Sequence, residues 1–197
     1  MSEHYYTSEP LSEIREKTFT HTIKNITLTF TSVSGVFAFG QKVDKASELI
    51  IKHFYPSGSS VLDVGCGYGA IGLFLKAAFP MQNVTMIDIN SRAIDYTNHN
   101  AMKNNLNITA IKSDLYTQLT PSKFDDIVSN PPIAAGKLLN KQLIEQSCTY
   151  LNPGGALWLV AFHNKGGSAL KSMMLDKFGN VEDIEKSGGI RVYKSVR

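Results

Sequence analysis

The sequence has few cysteines, no long apolar run and little excess charge, and each of these shortages excludes a class of protein. Its 197 residues contain two cysteines, Cys66 and Cys148, whose spacing is not that of a metal site, so a reduced intracellular setting is expected. No apolar stretch approaches the roughly 20 residues that span a bilayer, and residues 1–17 are too polar for a signal peptide. These features predict a cytoplasmic protein without a membrane span.

The charge balance is close to neutral. The 20 Lys and Arg residues exceed the 17 Asp and Glu residues by three, which is far fewer than a dedicated nucleic-acid-binding module carries. This charge permits an RNA partner without requiring one. The 5 histidines are scattered, so no metal site is predicted. A hydrophobic content of 43% in a chain of this length predicts one domain with a sizeable core.

Short apolar segments alternate with helical segments along most of the chain. The predicted strands are residues 61–64, 84–89, 108–112, 124–129 and 155–161, and the predicted helices are residues 70–79, 91–104, 137–151 and 166–178. Such alternation indicates a parallel sheet with helices on both faces. The last two predicted strands, residues 181–186 and 190–196, flank a Ser-Gly-Gly turn without a helix, so they are expected to form an antiparallel hairpin.

The amino-terminal part follows a different pattern. Residues 1–17 are expected to be a flexible lead, and residues 18–197 a single domain. Residues 19–24 and 26–31 are rich in β-branched side chains and predict a small hairpin. A helix should follow, with Ala46, Leu49, Ile50, His53 and Phe54 on its apolar face. The predicted fold is therefore α/β and doubly wound, with a mostly parallel seven-stranded sheet, a C-terminal antiparallel hairpin and a small N-terminal β-hairpin.

An amide side chain and two prolines follow the predicted strand 124–129, in the order Asn130, Pro131, Pro132, Ile133. Proline fixes φ, and the residue before it is pushed out of the helical region, so a rigid bend that presents carbonyl groups is expected. A substrate amino group offers two N–H donors, which the Asn130 side chain and the Pro131 carbonyl could both accept. The same residues could instead form only a stiff loop between a strand and a helix.

A glycine-rich loop follows the strand that ends at residue 64, and a nearly all-apolar helix follows the loop. The loop consists of Gly65, Cys66, Gly67, Tyr68 and Gly69. Such a turn lets the backbone approach a nucleotide-containing cofactor closely. Gly65, Gly67 and Ala70 also fit the dinucleotide pattern, with Asp88 as the acid that binds the ribose, so a nicotinamide cofactor stays open. Asp63, just before the loop, favours S-adenosylmethionine instead, because a carboxylate attracts a cationic amino-acid moiety and repels a pyrophosphate.

Two further carboxylates stand where predicted strands end, Asp88 at the end of residues 84–89 and Asp114 after residues 108–112. In a parallel sheet, both would face the crevice at the carboxyl ends of the strands. Asp88 is expected to bind the two ribose hydroxyls of the cofactor, and Asp114 the amino edge of its adenine. Either residue could instead be a helix N-cap or turn aspartate.

Together these motifs resemble those of class I S-adenosylmethionine-dependent methyltransferases, and more closely those of the archaeal relatives of the small-subunit ribosomal RNA guanine-N2 methyltransferases. The resemblance rests on segments 35–37, 63–69, 88–90, 113–115, 130–137 and 188–191. The glycine loop is common to the superfamily, and Asn-Pro-Pro narrows the target to an amino or amide nitrogen. Gly35-Val-Phe37 with Gly136-Lys137 points to the guanine-N2 branch.

The resemblance implies a Rossmann-like methyltransferase sheet and a set of site residues. Those implied to bind S-adenosylmethionine are Asp63, Gly65, Cys66, Gly67, Tyr68, Gly69, Asp88, Ile89, Asn90, Ser113, Asp114, Leu115 and Asn130. Those implied to act in catalysis are Asn130, Pro131, Pro132 and Ile133. The partner is expected to be RNA, with no metal and no membrane. The oligomeric state is not predicted, although a monomer would be compatible.

The chain departs from the resembled families in two ways. Many Asn-Pro-Pro amino-methyltransferases have Tyr or Phe at the position of Ile133, so base stacking is expected from Phe37 or Phe39, with Lys137 and Arg191 on an RNA-facing rim. The bacterial ribosomal enzymes carry a second, degenerate domain for which this chain is too short. The expected reaction is methylation of guanine N2, with ribosomal RNA as the expected substrate. Transfer RNA, a protein glutamine amide and a nicotinamide oxidoreductase remain alternatives.

Overall fold

The computed structural model describes residues 8–9, 12–120 and 122–197, which form nine strands and five α-helices. The strands are β1 (Glu16–Ile23), β2 (Ile26–Val33), β3 (Ser60–Val64), β4 (Asn83–Asp88), β5 (Thr109–Lys112), β6 (Phe124–Ser129), β7 (Leu151–Phe162), β8 (Glu182–Ser187) and β9 (Ile190–Val196). The helices are α1 (Lys45–His53), α2 (Ala70–Ala78), α3 (Ser91–Lys103), α4 (Lys137–Tyr150) and α5 (Gly167–Phe178).

Seven of the strands form one sheet in the order β5-β4-β3-β6-β7-β9-β8. The five strands β3 to β7 are parallel to one another, whereas β9 runs antiparallel to both β7 and β8. The chain moves outward from β3 to β5 and then returns past β3 to β6. This reversal creates a topological switch point between β3 and β6, where ligands of such sheets bind. The predicted sheet and its C-terminal hairpin are confirmed.

The central strands are buried on both faces, which explains why they are almost continuously apolar. On β3, Val61 packs into the core beneath α1 and α2, whereas the next residue, Leu62, packs into a second core with α4 and α5. Both side chains are fully buried. The predicted helix bounds differ from the observed ones by one residue at most. None of the helices in the described part of the chain is long and apolar enough to cross a bilayer.

The N-terminal hairpin forms a separate two-stranded sheet that packs against the helices. Phe30 of β2 lies 5.6 Å from the ring of Phe74 in α2, measured between centroids. The outer edge of β2 is covered by α3, because the side chain of Asn100 bonds to both backbone groups of Thr31 and that of Asn104 to those of Thr29. These amides replace a neighbouring strand over the middle of that edge.

The predicted flexible lead overlaps the observed hairpin, since β1 begins at Glu16. Residues 1–7, 10 and 11 of the lead lie outside the described residues. Just before β1, the backbone N–H of Arg15 donates to Ser34 Oγ at 3.0 Å. The flexibility of the lead and the single-domain division stay predictions.

Candidate active site

A cavity of about 620 Å³ opens at the carboxyl edge of the sheet, over the switch point between β3 and β6. This volume lies within the range of small-molecule and cofactor sites. Its walls come from the ends of the strands from β3 to β7, from the start of α1 and from the first turns of α4. A much smaller cavity of about 20 Å³ adjoins it and has Phe37, Asp44, Gly65 and Asn130 in common with it.

The glycine loop begins at the wall of this cavity, where Gly65 lines it. Gly65, Gly67 and Gly69 all have positive φ, between 59° and 98°, which L side chains rarely adopt. No atom lies within 4 Å of where a Cβ of Gly65 would stand, so the loop faces the cavity with bare backbone. The loop is fixed to β4, because the N–H of Gly67 donates to Asp88 Oδ2 at 2.9 Å.

Asp88 stands at the end of β4 and lines the cavity. Besides the Gly67 bond, its Oδ1 accepts from the N–H of Asn90 at 2.9 Å. Burial raises the pKa of Asp88, and these backbone hydrogen bonds oppose that rise. A carboxylate has about four acceptor positions, and the N–H of Ile89 also acts on this one, so at least one position remains for a ligand hydroxyl. Beside it, the side chains of Ile89 and Leu115 provide apolar walls of the kind a flat ring packs between.

The Asn130 side chain is held in one orientation by α1. Its Nδ2 donates to Ser47 Oγ at 3.1 Å and to Asp44 Oδ1 at 3.3 Å. Asp44 is also the N-cap of α1, where the same oxygen accepts from the N–H groups of Ala46 and Ser47. Because a carboxylate only accepts, the amide nitrogen must face Asp44, and the Asn130 carbonyl oxygen is left for the cavity.

The two prolines give the segment a fixed course. Pro131 is buried, and within the described residues no hydrogen bond reaches its carbonyl oxygen. The next carbonyl, that of Pro132, accepts from the N–H of Ala135 at 2.9 Å in a short 3₁₀ turn. Asn130 Oδ1 likewise accepts no bond in this part of the chain. Two neighbouring carbonyl oxygens therefore make no hydrogen bond within the described residues, and their role as acceptors for a substrate amino group stays a prediction.

The cavity brings together about half of the predicted site residues. Those that line it are Phe37, Gly65, Asp88, Ile89, Ser113, Asp114, Leu115, Asn130, Pro131, Pro132 and Ile133. Two further predicted residues, Cys66 and Tyr68, line the small cavity. Gly67 and Gly69 belong to the same loop and have positive φ, but they line neither cavity. The predicted cofactor roles of all these residues stay predictions.

Other predicted residues lie away from the cavity. Asn90 is fully buried, caps α3 through the Ala93 N–H and donates to the carbonyl of Gly35. Three of the four residues predicted to bind substrate, Phe39, Lys137 and Arg191, are also absent from its walls. Instead, Lys17 Nζ lies 4.8 Å from the Phe39 ring centroid, Lys137 is an exposed first residue of α4, and Arg191 pairs with Asp183 at 3.3 Å.

Asp63 lies beneath the glycine loop. Its Oδ2 accepts from the N–H of Gly72 at 2.9 Å, whereas its Oδ1 has no partner in the described part of the chain. Burial raises the pKa of Asp63 to about 7, although the Gly72 hydrogen bond opposes that rise. Asp63 is fully buried and does not line either cavity. Contact with a cationic cofactor moiety therefore stays a prediction.

Several lining residues were not predicted from the sequence, among them Asp44, Ser47 and Asn140. Asp44 carried a usable signal, since an aspartate two residues before an Ala-Ser pair at the start of an apolar helix is typical of an N-cap. Asn140, in the second turn of α4, had none. Its Oδ1 is buried without a partner among the described residues, while its Nδ2 donates to the carbonyl of Gly136.

The residues of the cavity fit a cationic nucleoside cofactor. Asp88 and Asp114 offer carboxylate oxygens, the apolar walls suit a purine ring, and the unpartnered Asn140 Oδ1 can accept from a ligand amino group. No group of three or more His, Cys, Asp or Glu side chains that could hold a metal occurs in the described residues.

Comparison with known proteins gives concordant results. The family model described as methyltransferase small domain matches residues 27–194. A Bacillus subtilis protein called YbxB, itself uncharacterized, is 36% identical over 199 residues, covering 99% of this chain and 98% of that protein. Ribosomal RNA small subunit methyltransferase C of Haemophilus ducreyi is 36% identical over 176 residues, covering 85% of this chain and 52% of that enzyme.

A solved structure is similar over nearly the whole chain. It is the T. thermophilus 16S rRNA N2 G1207 methyltransferase, RsmC, in complex with AdoMet and guanosine. The TM-score is 0.79 at 26% identity, and the match covers 95% of this chain and 52% of that one. The chain therefore spans about half the length of the methyltransferase C relatives that it matches.

Proposed function

The chain belongs to the methyltransferase small domain family, and on that premise we propose that it uses S-adenosylmethionine to methylate the exocyclic N2 amino group of guanine in ribosomal RNA. The family predicted from the motifs is confirmed, and it replaces the nicotinamide alternative that the glycine loop left open. The proposed setting of the reaction is the cytoplasm.

The observation that carries this proposal is the fixed orientation of Asn130. Its amide nitrogen is held by Asp44 and Ser47, so its carbonyl oxygen and that of Pro131 form a pair of acceptors at the cavity. An exocyclic amino group has two hydrogens to donate. The pair would therefore hold both hydrogens and fix the direction in which the nitrogen lone pair points.

The guanine amino nitrogen is a poor nucleophile, because its lone pair is delocalised into the ring. Acceptors on both hydrogens favour the pyramidal geometry in which the lone pair becomes available. They also stabilise the positive charge that develops on the nitrogen during transfer. The cofactor supplies an electrophilic methyl group on a sulfonium. No strong base is needed, since the N-methylated cation is acidic and loses its proton to solvent afterwards.

The cofactor would lie on the other side of Asn130, between the glycine loop and the end of β5. There, Asp88 would accept from the ribose hydroxyls, and Asp114 and Asn140 offer acceptors for an adenine amino group. The known ligands of the T. thermophilus enzyme, AdoMet and guanosine, are the two that this division of the cavity requires. That likeness supports assigning the part of the cavity beside Asp88 to the cofactor and the part beyond Asn130 to the guanine.

Nucleoside mass spectrometry tests the proposal. The purified protein should transfer labelled methyl groups from S-adenosylmethionine to unmodified small-subunit ribosomal RNA, with the label recovered as N2-methylguanosine. Assays should include naked RNA and assembled subunits, with transfer RNA and ribosomal proteins as competing substrates. Label found in transfer RNA would make transfer RNA the substrate instead of ribosomal RNA. Label resistant to ribonuclease would favour a protein glutamine amide. Label in another nucleoside would contradict guanine N2.

A further inference from the structure

The cavity extends beyond Asn130 on the side away from Asp88. The sheet order β4-β3-β6-β7 puts Asp88, Gly65, Asn130 and Phe162 one after another along the carboxyl edge. Neighbouring strands lie about 4.8 Å apart, so the strand of Phe162 is roughly 5 Å beyond that of Asn130 and roughly 14 Å from that of Asp88. The space beside Phe162 thus lies outside the part assigned to the cofactor.

Phe162 is an unusual residue for the end of a central strand. Its side chain is 44% exposed and lines the cavity, whereas its neighbour Ala161 is only 4% exposed. The ammonium group of Lys165 lies 5.6 Å from the centroid of its ring. An exposed aromatic ring provides a surface on which a nucleobase stacks, and a nearby cation can contact the backbone phosphate.

The ring stands on a turn that is anchored on both sides. Directly after Phe162, the N–H of His163 donates to the carbonyl of Gly189 at 2.8 Å, and its Nδ1 bonds to the Tyr193 hydroxyl at 2.8 Å. On the other side, Ile133 packs so closely on Gly166 that a Cβ there would lie 2.5 Å from Ile133 Cγ2. Position 133 therefore supports this turn with an aliphatic side chain.

The second exposed ring at the cavity, Phe37, lies on the cofactor side. It also lines the small cavity together with Gly65 and Cys66, on the β3 side of Asn130. Phe162 is absent from that small cavity and belongs to the end of β7. Both rings therefore border Asn130, but only Phe162 lies on the side of Asn130 away from the part assigned to the cofactor.

We propose that Phe162 stacks on the target guanine and that Lys165 contacts an adjoining phosphate, so that this turn takes over the role of the aromatic residue missing at position 133. This inference rests on the proposed function, because it assigns the binding site of the same substrate. Transfer to RNA would then use both the acceptors of Asn130 and Pro131, directly after β6, and a flat surface that orients the base toward them.

Steady-state and single-turnover kinetics on RNA test the assignment. Phe162→Leu keeps an apolar side chain but removes the aromatic face, and should raise the KM for RNA between about five- and a hundredfold. Phe162→Trp should restore most of the loss. Lys165→Ala should raise the same KM less and make RNA binding less sensitive to salt. The affinity for S-adenosylmethionine should stay within a few-fold of wild type in all three.

A matched control is Tyr55→Leu, which alters a ring that is 50% exposed but does not line the cavity. It should leave the KM for RNA unchanged. A second readout avoids turnover altogether. Trp158 is fully buried, so Phe162→Trp introduces an exposed indole, whose fluorescence guanosine monophosphate should quench more strongly than cytidine monophosphate does.

Wild-type KM in Phe162→Leu, or a Phe162→Trp variant no better than the leucine variant, would overturn the assignment while leaving the proposed function intact. A loss in Phe37→Leu without one in Phe162→Leu would also overturn it. If wild-type protein methylates no RNA guanine, the proposed function fails first, and the monophosphate titration still tests the stacking surface.

Discussion

The two ends of β6 carry polar side chains that are used in opposite ways. At the amino end, Asp126 is fully buried and accepts from the N–H and the hydroxyl of Ser57 and from the indole N–H of Trp158. At the carboxyl end, Asn130 donates to Asp44 and accepts nothing within the described residues. A polar group whose hydrogen bonds are all made internally stabilises the fold, whereas a held group with a free acceptor is available to a ligand.

Asp125 extends the contrast at the amino end. One of its carboxylate oxygens accepts from Ser59 and Ser60, and the other from Asn152. These bonds fasten the loop before β3 and the start of β7 to β6. The amino edge of the sheet is thus a structural anchor, and variants at the two ends should separate stability from activity.

The largest effect on stability is expected at the amino end. Asp126→Ala leaves the Ser57 and Trp158 donors buried without an acceptor, and should lower the free energy of unfolding by on the order of 3 kcal/mol. Methyl transfer, measured well below the melting temperature, should remain near wild type. Urea unfolding followed by Trp158 fluorescence measures the change, with the exposed Asp176→Ala as control. If Asp126→Ala lost turnover while its stability stayed unchanged, the contrast between the two ends of β6 would be wrong.

A pH-dependent effect on stability is expected from Asp63, which lies in β3 beneath the glycine loop. Its pKa is about 7 in the folded protein and about 4 in an unfolded chain. The folded state therefore keeps the proton to higher pH, so this group's contribution to stability is full below pH 4, falls as the pH rises toward 7 and is flat above it. Between pH 5 and 8 the wild type should lose about 3 kcal/mol that Asp63→Asn does not lose.

Urea titrations of both proteins across this range measure the difference. Parallel pH profiles would show that the Asp63 carboxyl is ionised throughout the range. A further titration addresses the predicted contact with a cationic moiety. If S-adenosylmethionine places its ammonium group near Asp63, binding at pH 6 should release a proton, which calorimetry in buffers of different ionisation enthalpy detects.

The affinity for S-adenosylmethionine should depend on Asp88 more than on the anchoring carboxylates Asp125 and Asp126. Asp88→Ala removes the acceptor proposed for the ribose hydroxyls, and should weaken S-adenosylmethionine binding about ten- to a hundredfold. Asp114 is exposed at the rim, so Asp114→Ala should have a smaller effect. Isothermal calorimetry gives both affinities, and NAD should not bind. If Asp88→Ala bound S-adenosylmethionine with normal affinity, the assignment of the cofactor to this half of the cavity would be wrong.

The smallest effect is expected where one of the two bonds that orient Asn130 is removed. Ser47→Ala should lower kcat about three- to tenfold, because the Asn130 amide then keeps only its bond to Asp44. Asp44→Asn preserves the oxygen that caps α1 and should be milder. The melting temperature and the KM for the cofactor should hardly change. A rise in that KM without a fall in kcat would place Ser47 at the cofactor.

Most of the fold was predictable, because strand and helix patterns are local. The helix bounds and the C-terminal hairpin follow from periodicity and from the Ser-Gly-Gly turn at residues 187–189. The carboxyl edge was also predictable, since motifs such as Gly65 to Gly69 and Asn130 to Ile133 fix their own backbone. These motifs identify which strands end at the cavity.

The rest depends on contacts between distant segments, which no local pattern encodes. The partners of Asn130 are 83 and 86 residues away in sequence. Phe162 ends an apolar strand, and nothing in residues 155–162 distinguishes an exposed ring from a buried one. The expected substrate residues Phe39 and Arg191 lie off the cavity because the fold gives each another partner, Lys17 and Asp183.

The most direct test of the account is the single-turnover rate of Asn130→Ala at saturating cofactor. The account predicts a fall of about a hundred- to a thousandfold, with the melting temperature unchanged and S-adenosylmethionine affinity within a few-fold of wild type. Asn130→Asp keeps an acceptor but cannot donate to Asp44, and should also be slow. If Asn130→Ala retained more than about a tenth of the wild-type rate, the Asn-Pro-Pro segment would be only a rigid turn, and the proposed mechanism would be wrong.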